Sequence, residues 1–134
     1  MEVDELLFQE TIDKVAVLAL SEQDPSTPFP VVEYLDTEAC QRWFIIKQNI
    51  TSVGFYSLVW PSRPQIFMFF ICPDFRRNGV GASAARLIIS ELLATHSEVS
   101  LSAIDNASYS FWSSTLDGFN YKHEGDRFLI NDGA

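Results

Sequence analysis

The hydrophobic and polar positions of this 134-residue chain change period several times, and each change marks an element. Over residues 4–20, Leu7, Thr11, Val15 and Leu18 share one face at helical spacing, which predicts an amphipathic helix. Its end, Val15 to Leu20, would serve equally as a strand. Ser21 to Pro30 carries three prolines among Ser, Thr and Asp and predicts a loop, and Asp36 or Thr37 could cap a helical turn running to Gln41. Trp43–Lys47 and Val53–Val59 then predict two strands. Ile66–Phe70 is a third, too short for a bilayer span and rich in the aromatic and branched residues that strands favour. Pro73 stops that ladder by removing a backbone donor. After Gly79 and Gly81, Ala84, Ala85, Ile88 and Leu92 recur at helical spacing to about His96. Val99–Ile104 alternates as a strand parallel to the third, reached through that helical crossover. A second helix runs from Asn106, with Asp105 or Asn106 as cap, to about Leu116, and Gly118 ends it. Phe119–Glu124 and Arg127–Ile130 close the chain as a hairpin around Gly125-Asp126.

Length and a hydrophobic share of 47% make this one ordinary globular domain, with no repeat or low-complexity tract. The acidic start, Met1-Glu2-Val3-Asp4-Glu5, is unlike a secretory or transit signal. Cys40 and Cys72 make no disulfide framework, so reduced thiols and a cytoplasmic protein without a membrane anchor are expected. The charge is unevenly divided. Residues 1–41 carry ten acids against the single base Lys14, while the remainder is balanced, so the whole formal charge of −9 lies upstream. Such a field disfavours nucleic acid and favours cationic partners such as amines, unless it is only a solvated face that aids solubility.

The candidate chemistry sits where the third strand meets the first helix of the core. Free N–H groups and the dipole at a helix start favour an anion, and small Gly79 and Gly81 let a phosphate approach the backbone. Arg76 and Arg77 add positive charge. His96 and His123 stand alone at a helix end and in a hairpin, where surface roles are expected, and no metal-ligand spacing is present. Gly79-Val80-Gly81-Ala82-Ser83-Ala84 also satisfies a relaxed dinucleotide fingerprint, with Asp105 about twenty residues on. However, six residues separate the glycines from Cys72, whereas that fingerprint follows its strand at once.

Arg76-Arg77-Asn78-Gly79-Val80-Gly81 resembles the Arg/Gln-x-x-Gly-x-Gly/Ala signature of the GNAT superfamily of acyl-CoA-dependent N-acetyltransferases, and Ile71-Cys72-Pro73-Asp74-Phe75 resembles its usual lead-in. Val53-Gly54-Phe55 and Asp117-Gly118-Phe119 fall where members carry similar triplets, and the resemblance covers roughly residues 42–131 behind an acidic helical or loop region, 1–41. It implies an α+β fold with a mixed sheet of about six strands flanked by helices, the family's first strand missing or displaced to Val15–Leu20. A sheet without that strand would expose an edge that a homodimer could cover.

The resemblance further implies acetyl-CoA as co-substrate and no metal. Its pyrophosphate would lie on Arg76, Arg77, Asn78, Gly79, Val80, Gly81 and Ala82. The pantetheine arm would meet backbone groups near Ile71 and Cys72 and the side chain of Asn106, while the Cys72 thiol itself reads as buried and inert. An amine of a cationic acceptor (a protein N-terminus, a lysine or a small amine) would attack the thioester directly. Two departures stand out. Many members carry a general-acid tyrosine about seven residues after the asparagine, where this chain has Ser113, or Ser114 with a slip of one. Tyr109, one turn earlier on the face of Ser113, is the substitute candidate; Trp112 cannot protonate a thiolate usefully. Many members also place a glutamate base on the strand matching Ile66–Phe70, which here holds no ionisable group, leaving Glu33, Asp36 and Glu38 upstream. Transfer relies on alignment more than on such groups, so an acetyltransferase is the leading expectation. A silent acyl-CoA-binding or protein-binding, inhibitory module is the alternative.

Overall fold

A computed structural model describes residues 6–11, 41–59, 64–76, 79–103 and 106–131, with backbone only at Gln41, Phe67, Met68 and Asp74. The elements are β1 (Leu6–Thr11), β2 (Gln41–Gln48), β3 (Thr51–Val59), β4 (Gln65–Ile71), a 3-10 turn (Pro73–Phe75), α1 (Val80–Thr95), β5 (Glu98–Ser102), α2 (Asn106–Thr115), β6 (Asn120–Glu124) and β7 (Arg127–Asn131). They form one seven-stranded sheet in the order β1-β2-β3-β4-β5-β7-β6. Only β4 and β5 pair in parallel; every other neighbouring pair is antiparallel. That topology is not a doubly wound sheet, which disposes of the dinucleotide arrangement.

The amphipathic helix expected from residue 4 is corrected over the described residues: Leu6–Thr11 is a strand, antiparallel to β2 from Leu6↔Gln48 to Thr11↔Trp43. The effective period is two, with Leu6 and Phe8 turned to the core and Leu7 left 49% exposed. Pairing outweighs the helical pattern because Phe8 sets its ring edge-on against Tyr56, and Glu10 receives both arms of Arg42 at 2.5 and 2.8 Å. That hydrogen-bonded guanidinium holds the Glu10 carboxyl below its usual range. Among the described residues the sheet accordingly has seven strands rather than about six, a first strand is present, and β1 covers the edge of β2 that its absence would have exposed. The expected loop and turn, Val15–Leu20, and Cys40 lie outside the described residues.

The other elements stand close to where their patterns put them. A single core joins α1 (Val80, Ala84, Ala85, Ile88, Ile89) and α2 (Trp112) to Ile46, Tyr56, Leu58, Ile66, Leu101 and Phe128 on one face of the sheet. Burial pushes the Tyr56 hydroxyl well above the ordinary tyrosine range, so it stays a neutral phenol. The opposite face is buried too, with a row of rings from Trp43 to Phe55 (6.0 Å) to Phe70 (5.1 Å). Gly54 sits where these strands crowd: a Cβ there would run into the carbonyl oxygen of Phe70. Neither described helix is long and apolar enough to cross a membrane.

Arg86 of α1 ties the helices together. Its Nη1 donates to the carbonyls of Thr115 and Asp117, each at 2.7 Å, and its guanidinium lies 4.9 Å above the ring of Phe119. A cation is thus placed on carbonyls left over at the end of α2, where the helix dipole favours it. Arg86→Met should keep much of the packing but lower stability by about 2 kcal/mol, the scale of lost charge-assisted bonds, read as a lower urea midpoint with an unchanged m-value. Ser100, on β5 facing away from the helices, has a buried hydroxyl with no hydrogen-bond partner among the described residues. Ser100→Ala should therefore leave stability unchanged or raise it by up to about 1 kcal/mol; a clear loss in thermal unfolding would mean the hydroxyl is satisfied.

Candidate active site

The site is built by a bulge. Along β3 and β4, Leu58 pairs with Ile66 but the next residue, Ser57, pairs with Met68, so Phe67 is an extra residue in β4. A bulge bends its strand and increases local twist. The parallel pairing of β4 with β5 runs from Gln65↔Ser100 to Ile66↔Leu101 and stops there, at the bulge. Beyond it β4 continues to Ile71 with no β5 partner among the described residues, β5 itself ending at Ser102. The extra residue also reverses the alternation. Phe69 and Ile71, which strict alternation from Ile66 would send to the opposite face, turn toward the helices.

Both residues then meet the helices. The ring of Phe69 stacks on Phe111 at 5.8 Å and meets Trp112 edge-on at 5.5 Å. Ile71 lies against the start of α1, where a Cβ added to Gly81 would stand 3.5 Å from Ile71 Cγ1 and 3.4 Å from Phe111 Cε1. Gly79 caps α1 in the left-handed region, φ +87°, and its carbonyl accepts the first helical bond, from Ser83 N–H at 3.0 Å. The amides of Gly81 and Ala82 precede that bond and belong to the open end of the helix. Val80 is buried beneath them. Arg77 and Asn78 lie outside the described residues.

Between strand and helix the chain folds back through the 3-10 turn, with Phe75 N–H on the Cys72 carbonyl at 2.9 Å and Arg76 N–H on that of Pro73 at 3.3 Å. Cys72 is buried, belongs to no disulfide, and gives its N–H to Val53 on β3 at 2.8 Å. Its amide is thus committed to the sheet. By the alternation of an antiparallel ladder, the backbone groups of Ile71 point the other way, to the side on which β5 pairs with the start of β4. The Ile71 carbonyl there accepts a 2.7 Å bond from Arg76 Nε, and the Arg76 guanidinium lies 5.3 Å from the centre of the Phe70 ring. Arg76 is therefore turned back onto its own strand, a contact no sequence pattern announces.

Asn106 opens α2 and is exposed. Tyr109, 43% exposed, packs its ring 5.0 Å from His123 and 5.7 Å from Phe128. Phe111, two residues on and so on the opposite side of the helix, is the α2 residue turned to Gly81. Ser113 shares the Tyr109 side and is half-buried. Ile71, Gly81 and Phe111 are thus brought together, whereas Tyr109 is turned to the β6–β7 hairpin. His96 caps α1, with Nδ1 3.1 Å from the Leu92 carbonyl, and His123 lies in the exposed hairpin. Among the described residues, no group of His, Cys, Asp or Glu could hold a metal ion.

An acyl-CoA fits this constellation on two observations: a β4 edge that past the bulge has no β5 partner among the described residues, and a glycine-opened helix start whose Gly81 leaves only van der Waals room for a Cβ.

No family model and no curated protein matches the sequence. Solved structures do match the fold. An acetyltransferase from Thermus thermophilus superposes with a TM-score of 0.68 at 18% identity, covering 97% of this chain and 96% of its own. A ribosomal-protein alanine N-acetyltransferase from Escherichia coli gives 0.66 at 19% identity, covering 94% and 90%. A Bacillus subtilis acetyltransferase in complex with CoA gives 0.66 at 12%, covering 95% and 99%. Near-complete coverage of both chains makes the likeness one of the whole domain: the chain has the fold of the GNAT acetyltransferases.

Proposed function

We propose that the protein is an N-acetyltransferase that moves an acetyl group from acetyl-CoA to an amine of a cationic acceptor. The observation that carries this is the sequence of β4 past the end of its β5 pairing and the open end of α1, one offering strand-type pairing and the other anion-binding amides. Acetyl-CoA, when bound, supplies a thioester carbonyl activated toward an amine. The chain's part is to hold and align. Gly81 and Ala82 amides, helped by the helix dipole and by the Arg77 and Asn78 segment, take the pyrophosphate. The Ile71 backbone and the Asn106 side chain orient the pantetheine arm. The rings of Phe69, Phe111 and Trp112 exclude water beside it.

The acidic segment 1–41 supports a cationic acceptor, whose amine must lose its proton before attack. An acceptor such as a protein N-terminus, a lysine or a small amine fits that charge, and the alanine-acetylating neighbour from Escherichia coli belongs to the same chemical class. With no ionisable side chain on β4, alignment carries most of the rate. Tyr109→Phe should accordingly retain turnover within about threefold, a barrier change of less than 1 kcal/mol. A drop beyond tenfold at unchanged acetyl-CoA affinity would make its hydroxyl the acid for the departing thiolate.

Calorimetric titration with acetyl-CoA, NADH serving as control, tests the proposal, followed by thiol release in an amine screen. Binding of acetyl-CoA alone with thiol release supports transfer. Binding without release against any amine favours the silent acyl-CoA-binding module, and no binding overturns the proposal.

A further inference from the structure

The sheet ends on β6, and little there keeps the edge from pairing. Its residues, Asn120–Glu124, are all exposed, pair with β7 without a bulge and include no proline. Alternation fixes where its backbone points. Ala103 N–H donates to the Asp126 carbonyl at 2.8 Å, so Asp126, Phe128 and Ile130 give their backbone groups to β5. Arg127, Leu129 and Asn131 then bond Glu124, Lys122 and Asn120. The N–H and C=O groups of Tyr121 and His123 are left pointing outward, with no strand beyond them among the described residues. We propose that β6 is the interface for a second copy of this chain, the two β6 strands pairing antiparallel about a two-fold axis at His123.

The side chains select both occupant and register. An axis at Lys122 would set the two lysines face to face, and like charges directly opposite are destabilising. Moving the axis one residue on, to His123, keeps outward backbone groups opposite one another and every side chain on its own face. It also sets each Lys122 against the partner's Glu124, an attraction made twice. The same register lays Tyr121 over the partner's Gly125, which has no side chain and open space where a Cβ would stand. On that face Tyr121, His123 and the exposed Tyr109 form one patch of rings around buried Phe128, with centroids 4.8 to 5.7 Å apart. Across the axis the two patches join. A five-residue edge is small beside the roughly 1,200–2,000 Å² of a stable interface, so the dimer should form with micromolar rather than nanomolar affinity.

Sedimentation of the full chain over about 1 to 500 μM should show monomer passing to dimer. Lys122→Glu and Glu124→Lys each set like charges opposite one another twice and should weaken association by about tenfold or more. Mixed in equal amounts, the two variants should dimerise with each other. The double variant Lys122→Glu/Glu124→Lys should recover the wild-type constant, because opposite charges meet again. His123→Pro removes an outward N–H that β7 does not use and should abolish the dimer. Glu124 also faces Arg127 within its own hairpin. Thermal unfolding at about 1 μM, where the wild type is monomeric, is therefore the folding control and should agree within a few degrees for all variants. A wild type that stays monomeric throughout overturns the proposal. So does a dimer that survives His123→Pro, or one that the double variant fails to restore.

Discussion

Gly81→Glu is expected to abolish acetyl-CoA binding. The Cα of Gly81 faces Ile71 and Phe111 with only contact distance left for a Cβ, 3.5 and 3.4 Å. A glutamate must therefore turn its longer chain out over the open end of α1, where the pyrophosphate would bind. There the carboxylate both fills the cradle and takes the amide donors for itself, since an acid in the first turn is itself favourable to a helix. Like charge then adds to steric exclusion. The affinity loss should exceed about 100-fold, or roughly 2.7 kcal/mol, in the same calorimetric titration. The helix itself should survive, so thermal unfolding should move by no more than a few degrees. Gly81→Ala separates the two causes: it crowds Phe111 without adding charge and should cost far less. Affinity preserved in Gly81→Glu would remove the pyrophosphate from this helix start.

Trp112→Ala should destabilise the protein by about 3–5 kcal/mol, the usual range for emptying a large aromatic site. Trp112 is 6% exposed and fixes α2 to β4, its ring meeting Phe69 at 5.5 Å and Phe111 at 5.0 Å. A domain of this size has only about 5–15 kcal/mol of stability in total. The variant should then unfold at a much lower urea concentration. Because the same rings wall the site, acetyl-CoA affinity should also fall in whatever fraction stays folded. Trp112→Phe keeps part of the stacking and should recover much of both. A loss below about 1 kcal/mol for Trp112→Ala would mean that α2 is held by Arg86 and the remaining core instead.

The strand, the turn and the helix start at the candidate site were legible in the sequence because their signals are local. A strand rich in Phe and Ile, a proline that stops it, and a glycine pair opening a helix lie within twenty residues, so their order alone places backbone amides at one point. Both core helices and the closing hairpin were legible for the same reason, each carrying its own period, with Gly118 after the second helix and Gly125 in the hairpin's turn. The first strand was not. Leu6–Thr11 has too few residues for its period to be distinguished from a helical turn, and what makes it a strand is β2, thirty residues away, with Arg42 reaching Glu10.

Tertiary structure alone decided how the site's walls face. Nothing in Ile66–Ile71 marks Phe67 as the bulged residue, because a bulge is defined by two strands in register, and the partner is the separate strand β3. Yet that one extra residue turns Phe69 and Ile71 toward α1 and α2 and coincides with the end of β5 pairing. The backward reach of Arg76 to Ile71 likewise follows from the 3-10 turn that brings them together. The sequence by itself determined where a helix opens on glycines after a buried strand, because conformation there depends on neighbouring residues. The direction each side chain faces across the site depended on strand register, which only the assembled sheet sets.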